Sequence, residues 1–259
     1  MIHVLGRAYE NSIDLEEQAS LPFVGGVKQY GYQCGQIWGA SLAAGARVSQ
    51  QKGDGAESQV RTLQATQKLT EIFRGISGEV NCHEITSLDK DSTNMEMVTH
   101  FLLKGGSIRC FRMASSYAPA AYEAIEATMD EDVHVPEGEL SCTALLVKKA
   151  GNQEKHQTMA AGLAGGIGFS GEACGALGTV VWLKAMKALK ENPEVDLWGD
   201  QDFNTWFEST VETFLKASDY EFECADIVGR KFESTTDHAE HLKSGGCSTI
   251  IDALLSTLD

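Results

Sequence analysis

Several features common in a chain of 259 residues are scarce or missing here. Only four prolines occur, Pro22, Pro119, Pro136 and Pro193, so long segments are free of the residue that interrupts helices. Strand-like alternation of apolar and polar residues is scarce as well. There is no run of about eighteen apolar residues, which excludes a membrane-spanning helix. The stretch from Met1 to Gln18 has no basic segment followed by an apolar one, so no export signal is read there and the cytoplasm is the expected compartment. Basic residues are outnumbered: 21 Lys and Arg stand against 37 Asp and Glu, a formal net charge of −16. Nucleic acid and anionic membrane surfaces both recruit Lys and Arg, and neither is an expected partner.

The seven cysteines are as telling for what they omit. Their odd number and a reducing compartment speak against a disulfide framework. No Cys-x-x-Cys occurs, and the closest pair, Cys224 and Cys247, lies 23 residues apart. Any site that uses several cysteines must therefore be assembled by the fold, unlike a zinc finger with ligands in close pairs. Without Cys-x-x-Cys-His, covalent c-type haem is excluded. Without Gly-x-Ser-x-Gly, the hydrolase elbow is missing too.

What is present favours helix. Ala, Leu, Glu, Lys, Gln and Met dominate long segments. In residues 57–76, Val60, Leu63, Leu69 and Ile72/Phe73 form one apolar face, with Gly75 near the stop. The segments 115–132, 143–152 and 248–258 read as helices. So does 203–219, where Phe203, Trp206/Phe207, Val211 and Phe214/Leu215 share a stripe. The prediction is an all-α helical bundle.

Displacing the sequence by 140 residues reveals a repeat: Gly25-Gly26 falls on Gly165-Gly166, Gly31 on Gly171, and Cys34-Gly35 on Cys174-Gly175. Cys82 in NCHEI lies near Cys224 in ECADI, and Cys110 after KGG lies near Cys247 in KSGGC. Two pseudo-repeated units follow, 1–132 with three cysteines and 133–259 with four. The counterpart of Cys142 falls near Ile2, where no cysteine stands. Packing the copies about a pseudo-two-fold would bury the two long cysteine-led helices against each other, through Ile37, Trp38 and Leu42 in one and Leu177, Val181 and Trp182 in the other.

Gly166 to Gly171 spells Gly-x-Gly-x-x-Gly, yet a dinucleotide loop must follow a buried strand. The preceding NQEKHQTMAA lacks a β-branched run, and the first copy does not repeat the pattern. A tight turn before a helix explains the glycines better. Ser170 suits the N-cap, Glu172 the first turn, and Cys174 then lies where helix N–H groups favour a thiolate. Gly175 and Gly178 allow another group to approach Cys174 closely.

Cys142, the glycine run, Cys174-Gly175-Ala176, Cys224 and Cys247 together resemble the C-GCAxxG-C-C family of redox-active proteins, small helical units with four ordered cysteines. The second copy matches in cysteine order and spacing; the first resembles the same unit without its first cysteine. In the second copy the closing glycine, Gly178, comes one place early, and in the first Gln36 replaces the alanine. The resemblance implies redox activity at the cysteines, and a likeness to domains attached to iron–sulfur or multi-haem proteins implies a cluster.

Four converging cysteines can hold an iron–sulfur cluster, hold zinc as a closed tetrahedral site, or cycle between dithiol and disulfide. Cluster binding by Cys142, Cys174, Cys224 and Cys247, with Gly175 beside it, is ranked first, for electron transfer with a redox partner. A thiol–disulfide oxidoreductase using Cys174 and Cys224 follows, then zinc. A helical scaffold with no cofactor is the reading from a different class, and a homodimer stays open. His83 and His3 are candidates for a borrowed fourth ligand in the first copy. His238-x-x-His241 is expected to be a solvated helix end.

Overall fold

The computed structural model describes residues 1–258. Among them there are fourteen α-helices and no sheet. The first seven are α1 (Ile2–Ala8), α2 (Asp14–Gln18), α3 (Gly35–Lys52), α4 (Ala56–Ser77), α5 (Cys82–Thr86), α6 (Asn94–Val98) and α7 (Gly106–Thr128). The next seven repeat the order as α8 (Cys142–Lys149), α9 (Glu154–Ala161), α10 (Gly175–Glu191), α11 (Gln201–Ala217), α12 (Cys224–Val228), α13 (Thr235–Lys243) and α14 (Ser248–Leu255). The all-α, twice-built architecture expected from the sequence is what the structure shows.

The long helices form for the expected reasons. Along α4, Val60, Leu63, Leu69 and Phe73 are buried on one face. Gly75 does not stop the helix; Gly78 does, in a left-handed conformation that glycine adopts freely. In α11, Asp200 caps the N-terminus through the Phe203 N–H, and Phe203, Phe207, Val211 and Phe214 turn inward. Pro119 lies inside α7 rather than at its end.

The halves do not stack as two separate units. One hydrophobic core runs from Ile2 to Leu254 through both. The long helices α3 and α10 bury all six residues named for their contact, but across the halves they pack on the other half's small helix, α3 on α9 and α10 on α2. The direct α3–α10 approach narrows to one point, where the Trp38 ring lies against Gly178 and would collide with any Cβ there. Trp38 and Gly178 are themselves 140 residues apart, so the pseudo-symmetric partner of the ring is the gap that receives it.

Glu16 of α2 and His156 of α9 are also 140 residues apart, and they meet each other, His156 Nε2 standing 3.1 Å from Glu16 Oε1 in the interior. Trp182 Nε1–H donates to the Glu16 carbonyl at 3.1 Å. A residue that contacts its own counterpart lies on the pseudo-two-fold axis, so this pair marks it.

Candidate cysteine centre

The glycine stretches are left-handed turns. Five consecutive residues have positive φ in each copy, Gly25 to Gln29 and Gly165 to Phe169. The second turn is held by Ile167 N–H to Leu163 O (3.0 Å), Gly168 N–H to Gly162 O (2.8 Å) and Gly171 N–H to Gly165 O (2.9 Å). The first repeats these bonds from Val27 to Phe23, Lys28 to Pro22 and Gly31 to Gly25. L-residues lose about 1–2 kcal/mol each in this conformation, so Val27, Lys28 and Gln29 in one copy and Ile167 and Phe169 in the other store strain. No strand precedes either loop, and the dinucleotide reading has no support.

Each turn closes over the start of a long helix. A Cβ on Gly175 would collide with the Leu163 carbonyl, and one on Gly35 would lie 2.9 Å from the Phe23 carbonyl. The repeated Cys-Gly pair thus has a packing cause. The group that approaches Gly175 is backbone, and the one that approaches Gly178 is the Trp38 ring.

The cysteines follow. Cys34 and Cys174 are the N-caps of α3 and α10. Each is fixed by a short antiparallel bridge: Cys34 N–H donates to Val80 O and Cys174 N–H to Phe222 O, while Cys82 N–H returns to Tyr32 O and Cys224 N–H to Glu172 O. Cys82 and Cys224 are thereby set at the first positions of α5 and α12. Ser170 is not the N-cap; its hydroxyl donates back to the Gly166 carbonyl inside the turn. Glu172 does not sit in a first turn but accepts from Arg74 (3.0 Å) and Asn81 (3.2 Å) across the halves.

In the second half the remaining two cysteines also open helices, Cys142 at the first position of α8 and Cys247 as the left-handed N-cap of α14. The four are neighbours. Burial pushes the Cys142 thiol well up, and the charges of Cys247, Cys174 and Cys224 push it further; the Gly165 N–H opposes. Cys174 is also raised by burial, against hydrogen bonds from the Leu177 and Ala176 N–H groups. Burial raises Cys224, with Cys174 and Cys247 adding to it, and lifts Cys247 to about 12. The expected thiolate at Cys174 is therefore not favoured: the helix N–H groups are in place, but desolvation outweighs them. All seven cysteines are free. Among the described residues no group of three or more His, Cys, Asp or Glu could hold a single metal ion.

The first half differs at its third cysteine. Gly105, the left-handed N-cap of α7, stands where Cys247 caps α14, and Cys110 lies a turn inside α7. His3 pairs with Glu17 at 2.7 Å and His83 with Asp89 at 3.3 Å, so both candidate ligands are engaged by carboxylates.

His238 and His241 do not form a solvated end. His238 is fully buried, donates Nδ1–H to the Leu140 carbonyl at 2.9 Å, and packs edge-on to Phe232 at 4.6 Å. Burial lowers it to about 4. His241 Nε2 lies 3.6 Å from Cys247 Sγ. The polar sequence around them hid this, because one enclosing ring, Phe169, comes from a distant segment, and the other, Phe232, from the loop just before α13.

No described helix is long and apolar enough to cross a membrane. The model of one family, described as "Putative redox-active protein (C_GCAxxG_C_C)", matches the chain twice, over residues 3–128 and 138–259. No curated protein and no solved structure matches it.

Proposed function

We propose, from the premise that this chain belongs to the C-GCAxxG-C-C family of redox-active proteins, that its second half is an electron-transfer centre in which Cys142, Cys174, Cys224 and Cys247 hold an iron–sulfur cluster. The observation that carries the reading is the convergence of four cysteines, three buried and Cys247 partly buried, each opening a helix and within one another's field. Burial keeps these thiols protonated, and ligation replaces the proton, since a coordinating thiol is deprotonated outright. The N–H groups of Gly165, Ala176 and Leu177 suit sulfur that carries negative charge, and such bonds tune a cluster's potential.

Four thiolates are the ligand set of an iron–sulfur cluster; zinc held by the same four cysteines is the second metal reading. When bound, the cluster supplies one-electron transfer; the chain holds it, keeps water away and aims N–H donors at its ligands.

The test is purification without oxygen, followed by a visible spectrum and iron and sulfide analysis. Broad visible absorption with matched iron and acid-labile sulfide is expected, lost in Cys174→Ser and kept in Cys34→Ser. Colourless, iron-free protein would sink the cluster. Thiol titration would then decide between dithiol–disulfide chemistry at Cys174 and a scaffold in which the substitution costs stability alone.

A further inference from the structure

A histidine ring is laid on a glycine in each half. Gly105-Gly106 falls on Gly245-Gly246 at the 140-residue offset. A Cβ on Gly106 would collide with the His100 ring, and one on Gly246 with the His241 ring. The histidines are 141 residues apart, and the π-helix Thr99–Leu103, which holds His100, absorbs the one extra residue of the first half. The nitrogens of the two rings differ in what they meet. At the same offset Cys247 falls on Ser107. His241 Nε2 stands 3.6 Å from Cys247 Sγ, with its ring tilted against Phe232 at 5.2 Å. His100 Nε2 is buried without a partner, and the Ser107 hydroxyl donates to the Phe101 carbonyl at 3.2 Å. Packing on glycine explains the ring in both halves; only in the second does its nitrogen reach a sulfur.

A neutral imidazole carries one proton and can hold it on either nitrogen. Burial lowers His241, helped by the charge of Arg230 and opposed by Asp237, so the ring is neutral. A free Cys247 has an S–H to give, and Nε2 is the better acceptor of the pair. A ligated Cys247 has no proton, so the same nitrogen can bond the sulfur only by donating. We infer that His241 is the positioning residue of Cys247: Nε2 accepts the S–H of the free thiol and, with the ring proton moved from Nδ1 to Nε2, donates to the sulfur once it is ligated. The thiol proton goes to solvent, and the ring stays neutral throughout. The donor arm rests on the electron-transfer reading; the acceptor arm does not.

Two measurements test it. A donor to the ligated sulfur stabilises the more negative, reduced state and raises the potential. His241→Phe keeps a ring on Gly246 and removes the N–H. In iron-loaded protein its potential should fall by about 59 mV, a tenfold change in the ratio of reduced to oxidised protein for one electron, with iron and sulfide content unchanged. His241→Gln, which returns a side-chain N–H, should recover most of the fall. In the iron-free full chain, nitrogen NMR should find the His241 proton on Nδ1, and Cys247→Ala should return it to Nε2 while His100 stays as it is. An unchanged potential or lost iron in His241→Phe, an equal fall in His241→Gln, or a proton on Nε2 in the unsubstituted iron-free chain would each overturn the inference. Failure of the chain to take up iron at all would sink the electron-transfer reading, and the NMR measurement would still decide the hydrogen bond.

Discussion

The two halves are one design carried to different ends. Both have a left-handed turn closing over a Cys-Gly helix start, and both have a bridge that sets a second cysteine at the head of a short helix. They diverge at two places. Where Cys142 opens α8, the first half has Ile2 at the head of α1. Where Cys247 caps α14, the first half has Gly105, and its third cysteine has moved into α7. Two changes at helix starts thus separate a half with four neighbouring cysteines from a half whose three cysteines line a cavity. The scaffold that places the first two cysteines is kept in both, so that scaffold serves the position of the cysteines and not one particular ligand.

The sharpest way to break the comparison is to add one methyl group at equivalent places. Ala is favoured over Gly within a helix by up to about 1 kcal/mol, so a loss at these positions reports the turn. Gly175→Ala drives a Cβ into the Leu163 carbonyl, whereas Gly35→Ala sets one 2.9 Å from the Phe23 carbonyl, a clash that displaces the backbone by less. The expected losses in denaturant unfolding are about 3 kcal/mol for the first and about 1 kcal/mol for the second. Equal losses would show that the turns close on their helices with the same fit.

A smaller effect comes from the pair on the axis, the place where the copies must differ. Burial pushes the Glu16 carboxyl up, but hydrogen bonds from His156 and Lys155 outweigh it and hold it at about 2. A carboxyl depressed in the folded state contributes stability above its ordinary value of 4.5, and that contribution is lost as pH falls toward 2. Glu16→Gln should remove this limb from the pH–stability profile. His156→Glu makes the copies identical at this position and sets two carboxylates face to face. Its stability should be lower at pH 7 than at pH 5, because protonating one carboxyl relieves the repulsion. Urea midpoints across this range check both.

Much of this was legible in the sequence. The 140-residue offset survives in Cys34-Gly35 and Cys174-Gly175 because the turn needs glycine after the cysteine. Helical faces in α4 and α11 were plain from their spacing. Three things were not. The exchange of α2 and α9 between halves leaves no local trace, since either helix could pack on its own copy. Burial of His238 depends on the Phe169 ring, brought from 69 residues away in sequence. The cavity is walled by segments as distant as Met1 and Leu197, so no window of sequence contains it.

The left-handed turns were hidden for another reason: β-branched Val27 and Ile167 occupy them against local preference. Both are buried, so core packing offsets the strain. This gives the smallest test of the comparison. At Gln29, φ is 66° and the side chain is only partly buried, whereas its counterpart Phe169 is a core residue at φ 59°. Gln29→Gly should relieve about 1 kcal/mol of backbone strain, offset in part by a more flexible unfolded chain, for a net gain of a few tenths. Phe169→Gly should instead lose about 3 kcal/mol, because the buried ring vanishes with the strain. Opposite signs in thermal unfolding would establish that the first turn is strained for its geometry and the second is fastened by its core. A loss at both would mean that Gln29 holds its turn through contacts of its own, such as the bond from its amide to Met97 Sδ at 3.8 Å.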